Sequence, residues 1–172
     1  MIELETYYAQ EIESAIKFIL ENTENPIPYC YSMPQEFVVP SVFFSSPEIV
    51  PSGDTLLTYS LNYSWVITFF HNDAKSAYAL GLTALNALQR KRNIIPLINV
   101  NGELTGRGFH LKAPILKAPE EGGCGEVQLT LAWRSSHPYD NESAQKMMTY
   151  DTNIYIKNAL DLMEYNETKE SS

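Results

Sequence analysis

Ser135, Ser136 and His137 stand side by side, and Asp140 follows three residues on. These are the residue types of a hydrolase triad, in which a carboxylate orients an imidazole that takes the proton of an attacking hydroxyl. Triads are assembled from distant segments, so four such residues within one turn read as a polar loop of incidental composition. The only histidines are His71, His110 and His137, and none lies at metal-ligand spacing from another histidine or a cysteine. Each reads as a strand-end or surface imidazole. Cys30 and Cys124 are far apart, which signals neither a disulfide framework nor a zinc site. Cys124 has glycines around it, Gly122, Gly123 and Gly125, and no neighbour that would lower a thiol pKa. Gly102, Gly106 and Gly108 open no helix and lack phosphate-loop or dinucleotide spacing, so tight turns of a hairpin explain them better. The expectation is a protein that is not an enzyme, with no catalytic residue, no metal and no cofactor.

Composition narrows the class further. The 172 residues are 44% apolar, 12% aromatic and 19% charged, enough for one domain with a real core and too apolar for a disordered chain. Twelve basic against 21 acidic residues give a net charge of −9, which disfavours a general nucleic-acid binder. No stretch approaches the ~18 apolar residues of a membrane span, and the start, MIELETYYAQ, lacks the basic and apolar regions of a signal peptide. Synthesis in cytoplasm and reduced cysteines are expected.

The elements that must position any site follow from periodicity. Tyr8, Ile12, Ile16 and Ile19 recur at helical spacing from about Thr6 to Glu21, with Glu11, Glu13 and Lys17 on other faces. Asn22 to Pro28 stops this helix. A strand from Phe37 to Phe44, interrupted by Pro40, should be short, kinked or at an edge. After a Ser52-Gly53-Asp54 turn, the apolar residues Leu57, Tyr59, Leu61, Tyr63, Trp65, Ile67 and Phe69 alternate with polar ones, predicting a long half-buried strand. Val66 and Phe70 break its polar side, so that end should be covered on both sides. Asn72 or Asp73 can cap a second helix to about Leu88, whose Ala77, Gly81 and Ala84 permit close packing on a sheet.

Ile94–Val100, the Asn101-Gly102 turn and the stretch from Leu104 to Leu116 read as a hairpin. Val127, Leu129, Leu131 and Trp133 alternate in a last strand, and a weak helix is expected from about Thr152 to Tyr165. Trp65 and Trp133 are expected on the inward side of the sheet. Hairpins and alternation predict an α+β fold, an antiparallel or mixed sheet with helices packed on one face. The division expected is a single α+β domain over 1–139 and a C-terminal extension over 140–172.

Charge order says more than charge total. Arg90, Lys91, Arg92, Arg107, Lys112 and Lys117 are half of the basic residues, and the only acid among them is Glu103. An acidic body with a basic middle segment reads either as a solvated face or as one half of a complementary interface, with nucleic acid a third option. These six residues are the candidate interface.

The order of elements resembles a known family. An N-terminal helix, "VPSVFF", "YSLNYSWVITFFHND" leading into "AKSAYALGLTALNALQ", then "IIPLINVNG" and a closing "EVQLTLAWRSSHPY" together resemble the tail terminator, or tail-completion, proteins of long-tailed bacteriophages and phage tail-like particles. The resemblance spans roughly Glu3 to Tyr139. It implies a non-enzymatic virion assembly protein at the tail-neck junction, assembled in the host cytoplasm. Such subunits form a homo-oligomeric ring, typically a hexamer, that caps the tail tube protein, stops tube growth and docks the neck or head-completion protein. No membrane is involved, and nucleic acid enters only as DNA passing through the lumen. Two other readings stay open: a neck or head-completion protein on the same axis, and a small cytoplasmic ligand-binding domain built around a concave pocket.

Overall fold

The fold is given by a computed structural model that describes residues 2–118 and 125–139, with side chains from Gln10 onward in the first helix. The elements run α1 (Ile2–Asn22), β1 (Ile27–Cys30), β2 (Ser41–Phe44), β3 (Glu48–Gly53), β4 (Thr58–Phe70), α2 (Ala74–Arg90), β5 (Ile94–Ile98), β6 (Leu104–Lys117) and β7 (Glu126–Pro138). The strands order as β1-β2-β4-β7-β6-β5, with β3 also paired to β4. β1 and β2 are parallel, whereas β2–β4, β5–β6 and β6–β7 are antiparallel, so the sheet is mixed and the fold is α+β. Residues 140–172, including the helix expected from Thr152 and Asp140 itself, lie outside the described residues.

Close contacts divide the chain into two units, Met1–Pro51 with Leu61–Ser135, and Ser52–Ser60 with Ser136–Ser172. The first holds the core. Trp133 stacks on Tyr63 with ring centroids 4.6 Å apart, meets Trp65 edge-on at 6.2 Å and lies 5.4 Å from Phe109. Both tryptophans are fully buried, as alternation predicts, among Ile67, Phe69, Leu111, Leu129 and Leu131. Aromatic rings of this size dominate core energetics and prefer offset and edge-on arrangements of this kind.

α2 begins where its sequence says it should. Asp73 is the N-cap and accepts the Ser76 N–H at 2.9 Å and the Ser76 hydroxyl at 2.7 Å. These two bonds, helped by His71, hold its carboxyl below its ordinary value of 3.8. The buried stripe Ala77, Leu80, Gly81, Ala84 and Ala87 faces the sheet. A Cβ on Gly81 would lie 2.8 Å from Leu116 Cδ1 and 3.1 Å from Val127 Cγ1, so helix and sheet approach as closely as a bare backbone allows.

Gly125 is tighter still. It has φ +97, and a Cβ there would sit 2.0 Å from the His71 carbonyl oxygen. The His71 N–H donates to the Gly125 carbonyl at 2.8 Å, joining the end of β4 to the entry of β7.

α1 buries its expected face, with Ile19 in the core and Ile12 and Ile16 packed against it, and it buries more besides. Ala15, Phe18 and Ile19 are buried, and so is Glu11, which the periodicity places on another face. Its carboxylate accepts from Trp133 Nε1 at 2.6 Å and from the Ser135 hydroxyl at 2.8 Å. Two strong donors make the burial of a carboxylate tolerable. α1 also closes the β5 edge. Gln10 Nε2 donates to the Ile98 carbonyl at 2.6 Å, and the Ile98 N–H donates to the Ser14 hydroxyl at 3.0 Å.

The strand expected from Phe37 to Phe44 is short, as read: β2 covers Ser41–Phe44 alone, starting after Pro40, and it is interior and not at an edge because β1 pairs on its outer side. α1 stops at Asn22 as expected, and an unforeseen strand, β1 (Ile27–Cys30), begins within the Asn22–Pro28 stop and runs on to Cys30: a proline lacks only its own N–H and tolerates an outer strand. Ser52 and Gly53 end β3 instead of turning, and the turn follows at Asp54 to Leu57. The covering expected over the end of β4 is present in part. Phe37 packs its ring 4.9 Å from that of Phe70, while Val66 stays 37% exposed.

In the second unit, Thr55 Oγ1 accepts the N–H groups of Leu57 and Thr58, and Asp54 accepts from the Ser136 hydroxyl at 2.9 Å. The Tyr59 ring lies 5.4 Å from His137 and 5.3 Å from Tyr139. Leu56 and Leu57 project at the turn, 82% and 59% exposed, so Leu57 is not a core residue.

Candidate assembly interface

The six basic residues are all exposed, and the fold sorts them into groups. Arg90 closes α2, where a cation favours the helix dipole. Beyond it, Lys91 and Arg92 return their N–H groups to the last helical carbonyls, and the Asn93 N–H reaches the Leu88 carbonyl at 2.8 Å. That six-to-one closure usually carries glycine at the left-handed position, yet here Arg92 has φ 54 and Asn93 has φ 58. The Asn93 carbonyl then accepts the Leu111 N–H at 2.8 Å, and Ile94 pairs with His110. The Arg90–Arg92 turn is thus stitched to the middle of β6, one residue from Lys112.

Arg107 and Lys117 are not part of that group. They lie ten residues apart on one strand, roughly 33 Å at the usual rise. Arg107 belongs to the half of β6 that pairs with β5, and Lys117 to the half that pairs with β7, opposite Gln128. Between them Lys112 pairs with Ala132 but Ile115 pairs with Thr130, three residues against two. This is a β-bulge at Ala113-Pro114, and it reverses the alternation. Leu111 points inward before it and Leu116 after it, so Lys112, Ile115 and Lys117 all point outward.

Arg134, outside the basic segment of the sequence, joins them. It lies two residues beyond Ala132 on β7, on the outward side, and is exposed. The outward face of β6, β7 and β4 therefore carries Lys112, Lys117 and Arg134 with Ser64, Val66, Ile115, Gln128, Thr130 and Ala132, and one acid, Glu126, which accepts from Gln128 Nε2 at 3.3 Å. Alternation from Trp133 would have placed Arg134 there, but only the register brings it beside Lys112.

Ser135 gives its hydroxyl to Glu11 and Ser136 gives its own to Asp54, while His137 is buried beside Tyr59. His110 is exposed on β6, and Cys124 lies outside the described residues. Cys30 is exposed, and partial desolvation pushes its thiol above the ordinary value, away from a reactive thiolate. His71 lines a cavity of about 190 Å3 with Glu24, Pro40, Ser76, Ala79, Leu80 and Thr83. Pockets that hold drug-sized ligands begin at ~300 Å3. Among the described residues no group of three or more His, Cys, Asp or Glu could hold a metal ion, and no helix is long and apolar enough to cross a membrane.

No protein-family profile matches the chain. It is similar to phage-like element PBSX protein XkdJ of Bacillus subtilis (strain 168), 27% identical over 147 residues, which cover 86% of this chain and 98% of that protein. It is also similar to a second Bacillus subtilis (strain 168) protein, the uncharacterized protein YqbJ, 28% identical over 119 residues, 69% of this chain and 79% of that one.

Proposed function

We propose that this chain is a non-enzymatic phage assembly protein, and in concrete form a tail terminator. It is a small α+β subunit whose helices cover one face of the sheet and whose copies close into a ring, typically a hexamer. The ring sits on the last layer of the tail tube, stops its growth and offers a docking face to the neck. The observation that carries the reading is similarity to a phage-like element protein over 98% of that protein's length, so the likeness covers the whole relative and not one shared motif. In a ring, neighbouring subunits meet through two different surfaces, and an acidic chain with a basic middle segment offers charges of both signs to them.

The test is electron microscopy of particles from a producing strain lacking this gene. Overlong tubes without heads are expected. Tubes of normal length without heads would move the protein to the neck, and complete normal particles would remove it from assembly. Reversing Arg90, Lys91 and Arg92 to Glu should impair assembly while leaving the fold intact; normal particles from that variant would take the α2 turn out of the interface.

A further inference from the structure

We propose that the turn closing α2, with the start of β5 beside it, is the seat for a second copy of this chain, which presents β1 and the 31–40 loop to it. The inference rests on the ring reading above and adds which surfaces meet. The chain separates its charges along the strand order. From Phe18 to Ala74, the stretch that contains β1, β2, β3 and β4, there is no lysine or arginine, whereas α2, β5 and β6 contain no acid. β7, between the two halves, carries one of each, Glu126 and Arg134. On the basic side, Arg90, Lys91 and Arg92 are exposed around the turn, and Ile94 beside them is 45% exposed. Ile94 pairs with His110, and Lys112 lies two residues along β6 on the same outward side. Glu103 sits at the far turn of the β5–β6 hairpin, where it accepts from Asn99 Nδ2 at 3.1 Å. Among the described residues, none of Arg90, Lys91, Arg92 and Lys112 is in an ion pair.

The other end of the strand order has the opposite make-up. β1 is the outer strand there; Ile27 on it, Tyr31 just after it and Val38 on the loop are 41%, 61% and 59% exposed, and none of them belongs to the core cluster. Hydrogen bonds hold the loop against β1: the Val38 N–H donates to the Tyr29 hydroxyl at 3.2 Å, and the Ile27 N–H donates to the Pro40 carbonyl at 3.0 Å. Glu24 precedes β1, Glu36 lies on the loop and Glu48 opens β3; all three are exposed, and among the described residues none is in an ion pair. The main chain of this edge has little to offer. The N–H groups of Ile27 and Tyr31 point to β2, so Pro28 and Cys30 face away from it; Pro28 has no N–H, and the Cys30 carbonyl already accepts the Ser32 N–H at 2.7 Å. Contact here is made by side chains. Exposed apolar groups flanked by carboxylates match an exposed aliphatic group flanked by cations. Because the two surfaces differ, the contact is heterologous, and each copy keeps one surface for the next. Such a contact closes a ring when its rotation closes.

The test uses the full chain and native mass spectrometry at low salt, with melting temperature as a check on folding. Lys91→Glu with Lys112→Glu should weaken self-association by ~30-fold or more, and so should Glu36→Lys with Glu48→Lys, since like charges then face one another. Combining all four substitutions should restore association, which a folding defect would not do. Wild-type association by either double variant would overturn the assignment, as would a combined variant that stays as weak as its parents. A wild-type chain that remains monomeric up to its solubility limit would overturn it too. If the gene deletion yields overlong tubes while both double variants associate normally, only the surfaces fall. Normal particles from the deletion strain would remove the terminator reading itself.

Discussion

The two faces of the sheet are made by the same strands and obey opposite rules. On the inward face, Trp65, Ile67, Leu111, Leu129, Leu131 and Trp133 are fully buried. One position along each strand, Val66, Lys112, Thr130, Ala132 and Arg134 remain wholly or partly accessible. The inward face sets stability, because every methylene there is held by neighbours at close-packed density. The outward face is nearly indifferent to folding and so is available to be shaped by contact with another molecule. A residue's influence on folding and its influence on assembly should therefore separate by face.

Trp133→Ala should lower unfolding free energy by ~3 to 5 kcal/mol in urea titrations, since it empties a site contacted by three rings. Trp133→Phe isolates one component: it keeps a ring but removes the N–H that Glu11 accepts, for an expected loss of ~1 to 3 kcal/mol. Gly81→Leu should cost ~1 to 3 kcal/mol by forcing α2 off Leu116 and Val127; an unchanged midpoint would mean that the helix does not rest on the sheet there.

Asp73→Ala should lower the melting temperature at neutral pH. Because the folded-state pKa of Asp73 lies below its ordinary value, the stabilisation is present above the unfolded value and is lost as pH falls through the folded one. The gap between wild type and Asp73→Ala should thus close in melts recorded below pH 3.8. Ile115→Thr should change stability by less than ~0.5 kcal/mol. A loss several times larger would show that this part of the outward face is covered, and the contrast between faces would fail at that point.

Much of the inward face is legible in the sequence, and most of the outward face is not. Alternation from Tyr63 to Phe69 and from Val127 to Trp133 picks out core residues directly, and the small residues of α2 announce its close packing. Glu11 escapes this logic because its burial depends on donors 122 and 124 residues away, Trp133 and Ser135. Alternation also fails across Ala113-Pro114. A bulge adds one residue and exchanges the faces, and Pro114 is its only local sign. The basic segment was visible as a run of charge, yet its six members occupy three places along the fold. Arg134 stayed hidden because the register of β6 against β7 is not encoded in either strand alone.

The closure of β5 by α1 bears on how copies of this protein can meet. Exposed strand edges invite further strands from other chains, the common route to uncontrolled aggregation. At β5 the N–H and carbonyl of Ile98 are already engaged by Ser14 and Gln10, and Pro96 has no N–H to offer. No extended main-chain ladder can be continued from that end of the sheet. Any association there must be made by side chains, whose fit can be specific to one neighbour and undone by salt, whereas a ladder accepts almost any strand. A subunit sealed in this way can accumulate in solution without polymerising through β5. Removal of α1 should convert the same edge into a seed for insoluble material.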